Sequence, residues 1–202
     1  PLLWPLSWDP PQKSVASGAR SIWPRPPRPL TPLIAARSLS GLKMRYSPSR
    51  LRRLELEAVL IGNAAAALQG APVTTIDFDF LFRKTPRNIR KLKEFARELR
   101  ATILRPFYPA SNLYRVVRDD DGLQLDFMVT IHGIRSFEGV RSRASIIEID
   151  AVPILVASLG DIVRSKRAAR RPRDLAVIDI LEKALEEENR SKGKAGRRRA
   201  RE

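Results

Sequence analysis

The sequence predicts an α/β domain: a small mixed β-sheet flanked by helices and finished by a C-terminal helical pair. Three observations carry this expectation. Short apolar stretches with strand-like alternation recur between residues 58 and 156, an amphipathic helical pattern separates them at residues 86 to 100, and two helical patterns in succession close the patterned region.

Residues 51 to 60 (LRRLELEAVL) read as a helix or as a helix giving way to a strand. They lead into the apolar run Ala58 to Ile61, which Gly62 ends. The alanine-rich Ala64 to Leu68 favours helix, and Gly70 stops it. Residues 73 to 82 form a strand, with Asp77 and Asp79 on one face and Ile76, Phe78 and Phe80 toward the core. Thr85 and Pro86 suit the N-cap and first position of a helix. In that helix Ile89, Leu92, Ala96 and Leu99 recur at spacings of three and four as far as about Arg100.

Residues 102 to 107, 113 to 118 and 123 to 131 read as successive strands. The run Asp119-Asp120-Asp121-Gly122 between the last two is a hairpin-turn signal, and its acids belong to a solvated turn. Residues 145 to 156 read as one further strand bent at Pro153. The closing helices are Leu159 to Arg170 and Pro172 to Glu188, the second with Leu175, Ile178, Leu181 and Leu185 on one face.

The flanks differ from this region. Residues 1 to 50 hold ten of the 16 prolines and all three tryptophans, with eight basic residues against the single acid Asp9. Residues 1 to 45 are expected to be disordered, because a proline-broken segment without regular apolar pattern cannot offset its ordering entropy. Met44 stands just before the patterned region, so the preceding segment is expected to lie upstream of the natural start. Residues 46 to 188 make up the domain, and 189 to 202 a basic, disordered tail. Residues 51 to 188 carry 23 basic and 20 acidic side chains, so the net charge of +16 belongs mainly to the ends. A high isoelectric point is therefore not by itself the mark of a nucleic-acid-binding domain. Basic groups at Arg83 to Arg100 and Arg164 to Arg173 face either phosphate or solvent.

Without cysteine the chain has no disulfide, thiolate zinc site or thiol nucleophile. His132 is the single histidine and reads as a loop or strand-end residue; nothing near it resembles a nucleophile elbow. No stretch reaches the roughly 18 apolar residues of a membrane span. The N-terminus lacks the uninterrupted apolar core of a signal peptide. A cytoplasmic protein without membrane association is expected.

The chemistry-bearing pattern is Asp77-x-Asp79, which puts two carboxylates on one strand face where they can share a cation. Asp126, between Leu125 and Phe127, can join them from an adjacent strand. Such carboxylates suit one or two Mg2+ ions, which take oxygen ligands and substrate phosphates. Gly62 begins a short helix after an apolar run, where backbone can approach a phosphate.

The run Gly62-Asn63-x-Ala65-x4-Gly70-x4-Thr75-x-Asp77-x-Asp79 resembles the signature of minimal nucleotidyltransferases of the DNA polymerase β-like superfamily, in particular the AbiEii-type toxin group. The resemblance continues through Asp126 into Ser158-Leu159-x-Asp161-x4-Ser165-Lys166-x6-Pro172-x-Asp174-Leu175, covering about residues 54 to 186. It implies a nucleotidyltransferase fold, with Asp77, Asp79 and Asp126 as metal ligands and catalytic carboxylates. Asp126 would also act as, or support, the general base. Gly62, Asn63 and Lys166 would hold the nucleotide. The implied reaction moves a nucleoside monophosphate from an NTP to a hydroxyl of RNA, commonly tRNA, or of a protein, with Mg2+ as cofactor. A toxin–antitoxin or phage-defence setting with an antitoxin partner is implied too. The alternative is an inactive protein of the same fold that binds RNA or a partner protein. Asn63 stands where the family usually has glycine or serine, and Val73 where it often has arginine. From the residues alone Lys166 reads as a surface lysine among arginines, and Asp174 as a first-turn acid favoured by the positive helix end.

Overall fold

The computed structural model describes residues 54–75, 77–105, 112–149 and 152–199, the last six of these by backbone only. The expectations for residues 1 to 45, for Met44 and for Ile76 lie outside the described residues. Strand β1 (Ala58–Ile61) runs directly into helix α1 (Gly62–Leu68), and β2 (Phe78–Phe82) precedes α2 (Pro86–Glu98). Strands β3 (Thr102–Leu104), β4 (Leu113–Arg118) and β5 (Leu123–Met128) follow, then α3 (Phe137–Arg143), β6 (Ser145–Ile149) and β7 (Val152–Val156). Helices α4 (Leu159–Ala169) and α5 (Pro172–Arg199) complete the described chain.

The seven strands form one mixed sheet in the order β3-β4-β5-β2-β1-β7-β6. Hairpins explain the antiparallel pairs β4/β5 and β6/β7, whereas β2 pairs parallel with β5 and β1 parallel with β7. The parallel β2/β5 register sets Phe78 beside Leu125, Asp79 beside Asp126 and Phe80 beside Phe127. Alternation then gives the two faces of these strands different chemistry. On the apolar face Phe80 and Phe127 stack at 5.0 Å, and Phe82 and Phe95 of α2 meet Phe127 edge-on. On the other face the neighbours are two carboxylates.

Local signals account for most boundaries. Thr85 caps α2 by accepting from the Asn88 amide at 3.1 Å, with Pro86 at the first position. Buried Asn88 ties that helix to the lead-in of β1, accepting from Glu57 N–H and donating to the Glu57 and Arg83 carbonyls. At the other end, Arg170 adopts the left-handed conformation (φ 51°) that ends α4, and Pro172 restarts the chain as α5.

Several expectations change: residues 54 to 57 form a turn and irregular chain, not a helix, and β3 ends at Leu104. Residues 145 to 149 and 152 to 156 form two antiparallel strands, not one bent strand, and Pro153 lies within β7 opposite Glu148. Residues 73 to 75 and Asp77 lie outside any strand, so β2 is only five residues long and Asp77 stands just before it. The strand expected over 123 to 131 ends at Met128. Helix α5 runs past residue 188 into the basic tail, where Glu186–Arg190 and Glu188–Lys192 pairs one turn apart support it. Among the described residues no helix is long and apolar enough to cross a membrane.

Candidate active site

One cleft of about 460 Å³ receives all six residues singled out in the sequence, Gly62, Asn63, Asp77, Asp79, Asp126 and Lys166. Its floor is the polar face of β2 and β5, and α4 supplies the opposite wall through Asp161, Ser165 and Lys166. Thr75 fixes the approach to the floor: its hydroxyl accepts from the Asp77 N–H and donates to the Asp77 carbonyl at 2.8 Å. Asp79 follows two residues later on β2, with Asp126 as its neighbour across the parallel pair.

Burial pushes the Asp79 carboxyl up to about 6, and the negative charges of Asp126 and Asp77 push it the same way. Arg173 and Lys166 oppose that shift from across the cleft. Asp79 is thus close enough to both other acids to feel their charge.

Gly62 begins α1 with φ +72°, and a β-carbon built there would stand 2.7 Å from the Asp79 Oδ2. Only glycine combines that backbone with so close a carboxylate. Asn63 Nδ2 donates to the Thr74 carbonyl at 3.2 Å, while its Oδ1 is buried and unpartnered among the described residues. The free group of this side chain is therefore an acceptor, and any donor to a phosphate here is backbone N–H.

Lys166 is mostly buried, with Nζ 2.9 Å from Asp174 Oδ1. The pair bridges α4 and the first turn of α5, so Asp174 has a partner beyond the helix dipole. Asp161 is 3% exposed and held four ways: Ser158 Oγ donates to it, Arg143 takes both oxygens, and Arg164 adds a contact at 3.2 Å. This knot fixes the first turn of α4, and Gly133 at φ +70° packs the loop between β5 and α3 directly on Arg164 and Ala168.

Several lining residues were not singled out in the sequence, although Arg171 and Arg173 belong to the Arg164 to Arg173 basic group expected to face either phosphate or solvent. Arg171 and Arg173 lie in the cleft, at the junction of α4 and α5, and His132 lies on the loop after β5. Arg115 is the most consequential omission. It faces Asp126 across the antiparallel β4/β5 pair and donates to both oxygens, Nε to Oδ1 and Nη2 to Oδ2, each at 2.7 Å. The turn at Asp119 to Gly122 fixes that pairing, so counting back from it reaches Arg115 opposite Asp126.

Hard divalent cations fit the donor chemistry, since crowded carboxylates are relieved by positive charge and such ions take oxygen ligands. Asp77 and Asp79 are half-buried and line the cleft, whereas Asp126 is already engaged by Arg115. Among the described residues no three acids are arranged as a ready cation cage.

No protein-family model and no curated protein sequence matches the chain. Among solved structures it is similar to an antigenic nucleotidyltransferase-like protein of Paracoccidioides brasiliensis, at 15% identity over 73% of this chain and 74% of that one (TM-score 0.45). It is also similar to a Thermotoga maritima protein described as a candidate nucleotidyltransferase, at 21% identity over 71% and 91% (TM-score 0.47). A third similarity is to the antibiotic-resistance factor ANT(2'')-Ia, at 9% identity over 76% and 93% (TM-score 0.43).

Proposed function

We propose that the chain is a metal-dependent nucleotidyltransferase that moves a nucleoside monophosphate from an NTP to a hydroxyl. The observation that supports it most is the register of Asp79 beside Asp126, with Gly62 against Asp79 and Lys166, Arg171 and Arg173 lining the same cleft. An acidic wall facing basic groups suits a polyphosphate brought in with a divalent cation.

In this reading Asp77 and Asp79 hold Mg2+, with Asp126 as the third carboxylate. When bound, the cation neutralises charge on the phosphates and on the departing pyrophosphate. Gly62 lets the phosphates approach backbone at the start of α1. Lys166, kept oriented by Asp174, and Arg171 and Arg173 steady the charge that moves onto pyrophosphate. Asp126 accepts the proton of the attacking hydroxyl once its oxygens are free, so attack on the α-phosphorus breaks the bond to pyrophosphate.

The acceptor we propose is RNA, tRNA among its forms, or a protein hydroxyl. The setting is a toxin–antitoxin or phage-defence locus, following the AbiEii-type residue pattern. The test is transfer of label from NTPs to RNA and protein acceptors, with Asp77→Ala and Asp79→Ala as controls. Labelling that both variants retain in full overturns the mechanism.

Arg115's hold on Asp126 favours one other reading, an inactive protein of this fold that binds RNA or a partner. Absence of metal-dependent NTP binding, together with RNA affinity that falls steeply with salt, would select it.

A further inference from the structure

We propose that Arg115 is the resident counter-ion of the acidic wall: it clamps Asp126 until a divalent cation and nucleotide arrive, then releases the carboxylate and binds the phosphates. The inference rests on the nucleotidyl-transfer reading and deepens it by assigning a positioning residue to that site.

The geometry begins with strand register. Arg115 and Asp126 are directly opposed on β4 and β5, and the guanidinium fork takes both carboxylate oxygens. Asp126 is 7% exposed, so its charge needs a partner whenever the cleft holds no cation. Arg115 meets that need at one fixed charge. It stands where a second positive charge at Asp126 would be repelled, so a cation coordinated by Asp77, Asp79 and Asp126 together requires Arg115 to move.

Three features make it displaceable. Its side chain is one-third exposed and lines the cleft, so a change of rotamer leaves it facing the same space. Asp126 is its sole ion-pair partner among the described residues, in contrast to Asp161, which Arg143 and Arg164 hold jointly from two elements. Finally, a guanidinium recognises phosphate with the same bidentate fork that it offers a carboxylate, so Arg115 exchanges one bidentate anion contact for another. Lys166 lacks that freedom, because Asp174 holds it between α4 and α5. A fixed hairpin brace would share the bidentate distances but would have no dealings with cation or nucleotide.

The experiment titrates Mn2+ into the full chain by calorimetry, first without nucleotide and then with a non-hydrolysable triphosphate analogue, for the wild type, Arg115→Met and Arg115→Lys. Without nucleotide, Arg115→Met should bind Mn2+ roughly tenfold more tightly than the wild type, since a competing charge is gone. With Mn2+ saturating, the same variant should bind the analogue roughly tenfold more weakly, having lost a phosphate contact. Arg115→Lys keeps the charge but not the fork, so it should fall between the two in both titrations, and it carries the test if the methionine variant does not fold. Unchanged or weaker Mn2+ binding in the variants, or analogue binding that they leave intact, overturns the proposal while the transferase reading stands. Absence of Mn2+ binding to every form removes both.

Discussion

Gly62 and Asp79 approach so closely that a methyl group on the glycine would stand 2.7 Å from the carboxylate oxygen. The contact joins the start of α1 to the second residue of β2, and it links the element proposed to approach phosphate to a carboxylate of the acidic wall. Gly62→Ala should cost about 1–3 kcal/mol, from the left-handed backbone alone. It should also abolish most nucleotide-dependent labelling. Gly70→Ala is the control, because Gly70 shares a positive φ (+92°) but has nothing within 4 Å. Thermal unfolding alongside labelling should show both variants destabilised and only Gly62→Ala inactive beyond its loss of folded protein.

The buried, crowded carboxyl of Asp79 makes stability depend on pH. Its folded value of about 6 lies above the ordinary 3.8. The folded state therefore holds the proton more tightly, and stability falls as pH rises from about 4 through 6, the penalty being complete above that. Asp79→Asn removes the charge and should stabilise the metal-free protein at pH 8 by about 1–3 kcal/mol, with a smaller gain at pH 5. Denaturant titrations at the two pH values measure the difference. A gain that does not grow with pH would show that charge is not the cause. Mg2+ should shrink it by stabilising the wild type selectively.

Lys166 and Asp174 form a largely buried pair, so removing one partner strands the other. Lys166→Met should destabilise by about 3–5 kcal/mol through the uncompensated Asp174. Lys166→Met combined with Asp174→Leu should recover much of that loss while leaving labelling absent. Recovery of folding without recovery of labelling separates the scaffold role of the pair from a phosphate-binding role for the lysine.

Asp161→Ala leaves Arg143, Arg164 and Ser158 without their shared acceptor and frees the first turn of α4. A loss of about 2–4 kcal/mol in denaturant unfolding is expected. Asp161→Asn, which keeps an acceptor for one arginine, should cost less. Equal costs for the two would mean that the charge of Asp161, and not its hydrogen bonds, fixes the helix.

The parts of this fold that were legible in the sequence are those set by neighbours along the chain. The Thr85-Pro86 start of α2, the glycine after β1 and the Asp119 to Gly122 turn each carry their own conformational preference, and each appears where the residues put it. The β6/β7 hairpin was read as one strand because its apolar alternation continues through the reversal without a glycine-bearing turn to mark it. Helix α3 was missed because it has only two turns and buries only Phe137 and Val140, although Ser136 caps it by accepting from the Gly139 amide. The candidate site follows the same division. Asp77, Asp79, Asp126, Gly62 and Lys166 stood out as residue types at fixed spacing. Arg115, Arg171 and Arg173 looked like three among many arginines, since only the pairing of β4 with β5 and the bend between α4 and α5 give them a direction.

The parallel pairing of β2 with β5 carries a consequence for how the protein comes into being. Parallel neighbours cannot be joined by a tight turn, so the chain that carries α2, β3 and β4 must all be made before Asp79 and Asp126 can become adjacent. Nothing made early in synthesis contains the acidic wall, and the basic groups of α4 and α5 emerge later still. Such non-local closure is slow relative to helix and hairpin formation. A nascent or truncated chain ending before residue 126 thus carries Gly62, Asn63, Asp77 and Asp79 without Asp126 or Lys166, which confines any activity of the site to the finished molecule.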